Sequence, residues 1–223
     1  MKWLYALGLC TLSLAASAET LDIAQEAGSP QAQFDDLRYR LGFDVYLANK
    51  NLPAAWQVAK KAVSVEPNNL FWLERFAQVS EWLGKPEEAL PIWLRYAQKT
   101  GQQSAWDNVK RLAIGLYDDK ALLIYQQRQV GLKPNDAAEI ETLVQIYERL
   151  GESVAGLDFL AQLRHKSQAK RALLTAEANL AERAGQDERA INAYSQLISL
   201  FKPVDQTWLL RRAALWYQRG KLV

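Results

Sequence analysis

The sequence predicts an all-α chain of tandem helix-turn-helix units, and three recurring features support this fold class. A small residue opens the second helix of each unit at intervals of 34, 32, 35 and 34 residues, at Ala55, Ala89, Ala121, Gly156 and Ala190. Turn glycines run in step with this slot, at Gly84, Gly151, Gly185 and Gly220. Proline-containing breaks at 65–69, 132–136 and 201–205 end the second helices, because proline cannot continue a helix. Because the small residue and the turn glycine recur with the same period, the sequence predicts a solenoid of stacked helical hairpins.

The chain begins with residues 1–18, a segment typical of a secretory signal peptide. A basic residue precedes an apolar run over residues 3–16, and small residues lead to an expected cleavage site after Ala18. An uncleaved membrane anchor is the first alternative, but the run is shorter than the roughly 20 residues that a spanning helix needs. Lipid modification of Cys10 is the second alternative, although the leucine before it is larger than a lipidation motif favours.

The charges are nearly balanced. Removal of Lys2 with the signal peptide leaves 26 basic and 25 acidic residues, a net charge of +1. This excludes a polybasic surface for nucleic acid or anionic lipid. Because Cys10 is the one cysteine, the cleaved chain has neither disulfides nor thiolate chemistry.

The remaining elements follow in order along the chain. We expect a lead-in at 19–35, repeats one to five at 36–69, 70–103, 104–136, 137–170 and 171–205, and the first helix of a sixth, incomplete repeat at 206–223. The turn of repeat three is shortened to Tyr117, Asp118 and Asp119. Repeat four opens with Asp136 as the expected helix cap, and Glu139 would complete a capping box.

These units resemble the tetratricopeptide repeat. The resemblance rests on the 34-residue period, Tyr46 and Tyr147 in first helices, "LGKPEEA" and "AGQDERA" at the turns, and "EPNN" and "KPND" at the ends. It covers about residues 36–223. The resemblance implies a right-handed superhelix whose concave wall is lined by the first helix of each repeat, and a partner bound along that wall.

The groove positions of the family, carried onto this chain, have mixed charge. They are Arg40, Asp44, Glu74, Arg75, Gln78, Trp82, Lys110, Arg111, Glu141, Gln145 and Arg149. The Lys and Asn clamp by which one branch of the family grips a peptide carboxylate is absent. The competing interpretation of each residue is a solvated helix face with pairing between successive turns.

Four tryptophans, at 72, 82, 93 and 106, offer a second hypothesis. Aromatic residues at helical spacing usually pack in the hydrophobic core. The resemblance places Trp93 at a buried position of a second helix. Trp82 is expected nearer the groove, where its ring could stack on a sugar.

Catalytic patterns are sparse, and we expect no enzyme, cofactor or metal site. The single histidine, His165, falls at the end of a second helix, where a partly cationic ring suits the negative helix end. Asp118 and Asp119 are adjacent on a turn, whereas glycoside hydrolysis needs two carboxyls that converge on one bond.

Residues 75–98 are similar to the Trp-rich repeats of the periplasmic region of PelB-type exopolysaccharide export proteins of the outer membrane. This similarity implies a periplasmic scaffold in exopolysaccharide export and biofilm matrix production. Its partners would be envelope proteins, either a periplasmic enzyme or export components, with the polysaccharide as a further candidate ligand. Association with the membrane would come through a region outside this chain. The alternatives are an independent periplasmic adaptor and the helical regulatory region of a wall- or sugar-modifying enzyme.

The predicted last helix carries an apolar face. It offers Trp208, Leu209, Leu215 and Trp216, whereas a terminal repeat normally presents a polar face. We therefore expect the chain to be a piece of a longer solenoid.

Overall fold

The computed structural model describes residues 34–220, and this part contains eleven α-helices and no strand. The helices are α1 (Asp36–Ala48), α2 (Leu52–Val65), α3 (Leu70–Trp82), α4 (Pro86–Thr100), α5 (Gln103–Leu116), α6 (Asp119–Leu132), α7 (Ala137–Arg149), α8 (Ser153–Lys166), α9 (Lys170–Arg183), α10 (Asp187–Leu200) and α11 (Gln206–Gln218). The prediction of an all-α chain of tetratricopeptide-type hairpins is confirmed for this part. The predicted signal peptide, with Cys10, and the lead-in up to residue 33 lie outside the described residues.

Every turn from a first to a second helix places one residue in the left-handed backbone region. Among the described residues, glycine occupies this position in three of the five turns, with φ between +67° and +70°. In the other two turns the residue is Lys50, with φ +58°, or Tyr117, with φ +55°. A side chain in this region costs about 1 to 2 kcal/mol. The turn geometry therefore recurs even where its glycine marker is missing from the sequence.

Side chains at helix N-termini position several of the repeats. Asp136 caps α7, because its carboxylate accepts hydrogen bonds from the backbone N–H groups of Ala138 and Glu139. The predicted capping box is only half formed. The Glu139 carboxylate accepts a hydrogen bond from Gln126 on α6 at 2.6 Å, and the Asp136 N–H binds the Lys133 carbonyl instead.

The small residues that open the second helices are all buried. Ala55, Ala89 and Ala190 have no exposed surface, and Ala121 is 5% exposed. At Gly156 the neighbouring helices approach closer still, since a Cβ atom there would lie 2.9 Å from the Tyr147 ring. This confirms the slot as a point of close helix packing.

The chain divides into two compact units, each of which packs sequentially. Unit 1 comprises α1–α5 and ends at Leu116, and each of its helices packs on the next. Unit 2 begins at Tyr117 and comprises α6–α11, which also pack in sequence, with a further contact between α7 and α9.

Helix α11 buries one face and exposes another. Trp208 and Leu215 are 5% and 4% exposed and belong to the core of unit 2. Leu210 and Tyr217 are 70% and 75% exposed. Across residues 34–220, none of the helices has the length and apolarity that crossing a membrane would require.

Candidate functional site

The first predicted groove residues of unit 1 converge on one phenylalanine. The Arg40 guanidinium lies 4.1 Å from the centre of the Phe71 ring, and that of Arg75 lies 5.3 Å from it. Asp36 fixes Arg40 through an ion pair at 2.7 Å and also accepts a hydrogen bond from the Trp72 indole at 2.6 Å. α1 and α3 are thus joined by cation–π and charge-assisted contacts on their polar side.

A cavity of about 660 Å³ follows in the same unit, between α3, α4 and α5. It is lined by Arg75, Gln78, Glu81, Trp82, Trp93, Asn108 and Arg111. Four predicted groove residues therefore meet in one place. The prediction that Trp93 is buried is confirmed, because this ring is 4% exposed, whereas Trp82 is 57% exposed.

Glu81, which the sequence did not single out, organises this cavity. Its carboxylate accepts a hydrogen bond from the Trp93 indole at 2.5 Å and pairs with the Arg111 guanidinium at 2.5 Å. Arg111 also donates to the Asn108 side chain at 3.1 Å. Since one carboxylate holds groups from both α4 and α5, the lining is preorganised.

A second polar chain runs along α3. The Gln78 amide accepts a hydrogen bond from Arg75 at 3.0 Å, and its nitrogen lies 3.4 Å from the Glu74 carboxylate. Asp44 on α1 and Lys110 on α5 are exposed, and neither lines this cavity. Two further predicted residues, Arg40 and Glu74, are also absent from its lining.

In unit 2, the predicted groove residue Arg149 is committed to an internal contact. Its guanidinium forms two hydrogen bonds with the Asp119 carboxylate, at 2.9 and 2.6 Å. The hydrogen bond from Arg149 holds the pKa of Asp119 below its ordinary value. Asp118 instead caps α6 by accepting from the Ala121 N–H. The two adjacent carboxylates thus have separate structural roles.

The remaining predicted residues of unit 2 lie on α7. Gln145 donates to the Glu141 carboxylate at 3.3 Å, and the Arg183 guanidinium is 3.6 Å from Glu141. Glu141 also lines a cavity of about 430 Å³ between α7 and α9. The full lining is Asn135, Ala137, Ile140, Glu141, Arg171, Ala172, Thr175, Ala176 and Asn179.

The α9 side of this second cavity was missed at the sequence level, although the repeat contains the signal. Thr175 and Asn179 stand 34 residues after Glu141 and Gln145, one period later. The Tyr194 hydroxyl donates its proton to the Glu182 carboxylate at 2.7 Å, and its oxygen lies 3.1 Å from the Asn179 side chain. Burial, and then the hydrogen bond to Glu182, raise the pKa of Tyr194 above its ordinary value, so this hydroxyl remains a donor.

Other chemistry-bearing groups are dispersed. His165 is exposed near the end of α8, as predicted. Within residues 34–220, no three side chains of His, Cys, Asp or Glu come together in a way that could hold a metal ion.

Comparisons with known proteins give structural neighbours only. No family model matches the sequence, and no curated protein matches it. A tetratricopeptide repeat protein from Parabacteroides merdae is 18% identical, with a TM-score of 0.36 over 82% of this chain and 73% of that one. A thermophilic tetratricopeptide repeat protein of Thermus thermophilus is 19% identical, with a TM-score of 0.36 over 80% and 97%. YrrB, described as having an unusual peptide-binding site, is 15% identical, with a TM-score of 0.36 over 80% and 92%. The structural neighbours are thus tetratricopeptide repeat proteins.

Proposed function

We propose that this chain is a non-catalytic scaffold that binds protein partners along the first helices of its repeats. The observation that carries the proposal is the cavity of about 430 Å³ between α7 and α9, the first helices of repeats four and five. Its volume falls within the range of about 300 to 1,000 Å³ that ligand sites occupy.

The lining of this cavity matches an extended peptide segment. Ile140 is 3% exposed and forms part of an apolar floor, and the short side chains of Ala172 and Ala176 leave room above α9. The amides of Asn135 and Asn179 can donate to and accept from a main chain, and the Thr175 hydroxyl, which donates its proton to the Arg171 carbonyl, can accept. The site therefore suits one medium-sized apolar side chain with flanking peptide groups.

Charge further restricts the peptide. Arg171 and Glu141 both line the cavity, and the Arg171 guanidinium is 5.1 Å from the centre of the Trp208 ring. A partner with an acidic residue facing Arg171 would be attracted, whereas the same residue beside Glu141 would be repelled. This polarity favours one direction of the bound segment.

The finer proposal places this scaffold in the bacterial envelope, in the periplasm. Residues 1–18, with their signal-peptide pattern, support export. The similarity of residues 75–98 to the repeats of PelB-type proteins supports a role in exopolysaccharide export, with a periplasmic enzyme or export components as partners.

Site-specific photocrosslinking tests the scaffold role. A photoreactive phenylalanine analogue at Thr175, in cells of the source organism, should give a discrete protein adduct. The same analogue at the exposed Gln162 on α8 is the matched control and should give none. Ala176→Arg, which fills the cavity, should abolish the adduct while the circular dichroism spectrum stays helical. Equal adducts at both positions, or an adduct that survives Ala176→Arg, would contradict the proposal.

Fractionation tests the location separately. When these 223 residues are expressed in a bacterial cell, the periplasmic fraction should contain a processed form lighter than the unprocessed 25.3 kDa. Retention of the unprocessed chain in the cytoplasm would disprove export.

A further inference from the structure

We infer that the cavity of unit 1 is a binding site for neutral saccharides, with Trp82 as its stacking surface. This inference rests on the proposed function in one respect, since it names a ligand that the scaffold would hold besides proteins. It concerns a different unit and a different cavity from the peptide site.

The exposure of Trp82 is the first observation. Trp72, Trp93 and Trp106 are between 0% and 4% exposed, whereas Trp82 is 57% exposed at the edge of the cavity. An indole has a broad apolar face and a polar N–H, and such rings bind partners that are apolar on one side and wet on the other. A pyranose has this character, because C–H groups cover its faces and hydroxyls surround its edge.

The chemistry of the lining is the second observation. All seven lining side chains end in a planar group: an indole, an amide, a carboxylate or a guanidinium. Planar groups with two adjacent donors or acceptors can bind two neighbouring hydroxyls at once. The lining has no aliphatic side chain, so it lacks the pocket that would select an apolar residue of a peptide. In this it differs from the alanine- and isoleucine-lined cavity of unit 2.

The arginines that line this cavity are already linked to carboxylates, and this favours neutral over acidic sugars. Arg111 is paired with Glu81 at 2.5 Å, and Arg75 is linked to Glu74 through the Gln78 amide. A uronic acid carboxylate would compete with Glu81 for Arg111 and would be repelled by it, and Glu81 also holds the Trp93 indole. An uncharged sugar can instead add hydrogen bonds to Gln78, Asn108 and Arg75 without breaking either link.

Titration calorimetry of the purified chain tests the inference. The probes are the neutral pentamers of N-acetylglucosamine and of β-1,4-linked glucose, with the galacturonic acid pentamer as the charged comparison. At least one neutral pentamer should bind, and more tightly than the charged one. Trp82→Ala should weaken that binding about tenfold or more, since a stacked indole is a dominant contact. Tyr117→Ala, at a 92% exposed aromatic residue of unit 2, is the matched control and should leave binding unchanged.

Glu81→Gln supplies a readout that simple loss of structure would not produce. Freed from its carboxylate partner, Arg111 should bind the galacturonic acid pentamer several-fold more tightly, while affinity for the neutral pentamer falls. Failure of both neutral pentamers to bind, or unchanged binding in Trp82→Ala, would overturn the inference. Because no protein partner is present, neither result bears on the crosslinks at Thr175.

Discussion

Unit 1 and unit 2 share the same repeat, yet their interiors differ. The largest fully buried side chains of unit 1 include Trp72, Tyr39 and Phe43, and the Trp72 ring meets Phe43 edge-on with centroids 5.8 Å apart. The corresponding group in unit 2 consists mostly of leucines, with Tyr194 as its aromatic member. Unit 1 is therefore filled by a few large rings, and unit 2 by many branched side chains.

The connections between successive repeats differ as well. In unit 2, arginines pair with carboxylates about one repeat earlier in the chain: Arg149–Asp119 at 2.6 Å, Arg183–Glu148 at 2.7 Å, Arg189–Asp158 at 2.6 Å, Arg211–Glu182 at 3.0 Å and Arg219–Glu188 at 2.8 Å. We call this set the arginine ladder. Among the described residues of unit 1, one pair of this kind occurs, Arg111–Glu81 at 2.5 Å, and Arg40 and Lys85 lie over rings of the neighbouring repeat, Phe71 and Trp56. Unit 2 also has such a ring contact, Arg171 over Trp208. One repeat can thus be stacked by two kinds of contact, which differ in their response to salt.

The largest loss of stability is expected when a buried aromatic ring is removed from unit 1. Trp72→Ala should lower the free energy of unfolding by about 3 to 5 kcal/mol, because it leaves a large cavity. It also deprives Asp36 of its hydrogen bond from the indole. Urea unfolding followed by circular dichroism measures the change. Trp82→Ala, at an exposed ring, should change the free energy by about 0.5 kcal/mol or less, and equal losses in both variants would contradict the aromatic core.

The next largest loss of stability is expected at Gly156, where α7 and α8 pack closely. Gly156→Ala should destabilise the chain by about 1 to 3 kcal/mol through overpacking, since the new Cβ would lie 2.9 Å from Tyr147 and 3.1 Å from Leu180. The control is Gly131→Ala in α6, where no atom stands within 4 Å of the added Cβ. That variant should gain up to about 1 kcal/mol from helix propensity. A gain at both positions in thermal unfolding would show that α7 and α8 are not closely packed.

The next prediction compares the turn at Tyr117, which has a left-handed backbone without glycine, with the glycine turn at Gly151. Tyr117→Gly should stabilise the chain by about 0.5 to 1 kcal/mol, because relief of the left-handed backbone exceeds the added entropy of the unfolded chain. Gly151→Ala, at φ +70°, should act in the opposite direction. The urea midpoints of the two variants measure this. A lower midpoint for Tyr117→Gly would mean that its side chain contributes more than its backbone costs.

The smallest expected effect concerns one member of the arginine ladder. Because the pKa of Asp119 is lowered, its pair with Arg149 stabilises the fold above the ordinary aspartate pKa and loses this contribution as the pH falls through the lowered value. Asp119→Asn should therefore cost about 0.5 kcal/mol near pH 6 and progressively less below about pH 4. Urea unfolding of both proteins across this range measures the difference. A gap that is constant with pH would rule out the ion pair as its cause.

Much of the fold could be predicted from the sequence because its markers are local and periodic. The small residue at the helix contact and the glycine of the turn each satisfy one steric requirement, so they recur visibly, as at Gly84 and Ala89. The turns at Lys50 and Tyr117 could not be recognised in this way, because the same backbone shape is held there without glycine. The capping box at Glu139 failed for another reason, since Gln126 of the preceding helix competes for its carboxylate.

The candidate site was predictable only in part. The repeat resemblance predicted four of the residues that line the cavity of unit 1: Arg75, Gln78, Trp82 and Arg111. Glu81 was missed because its role depends on where two other helices place Trp93 and Arg111. The arginine ladder was missed for the same reason, since a pairing about one repeat away leaves no local pattern.

Native-state hydrogen exchange, resolved by residue, tests the contrast between the two units most directly. The intact chain would be compared at about 10 mM and about 1 M sodium chloride, conditions under which the Debye length falls from about 30 Å to about 3 Å. The arginine ladder predicts that amide protection in α7–α11 falls at high salt, while protection in α1–α4 is unchanged or rises. An equal fall in both units, or a fall confined to unit 1, would contradict the concentration of the ion pairs between repeats in unit 2.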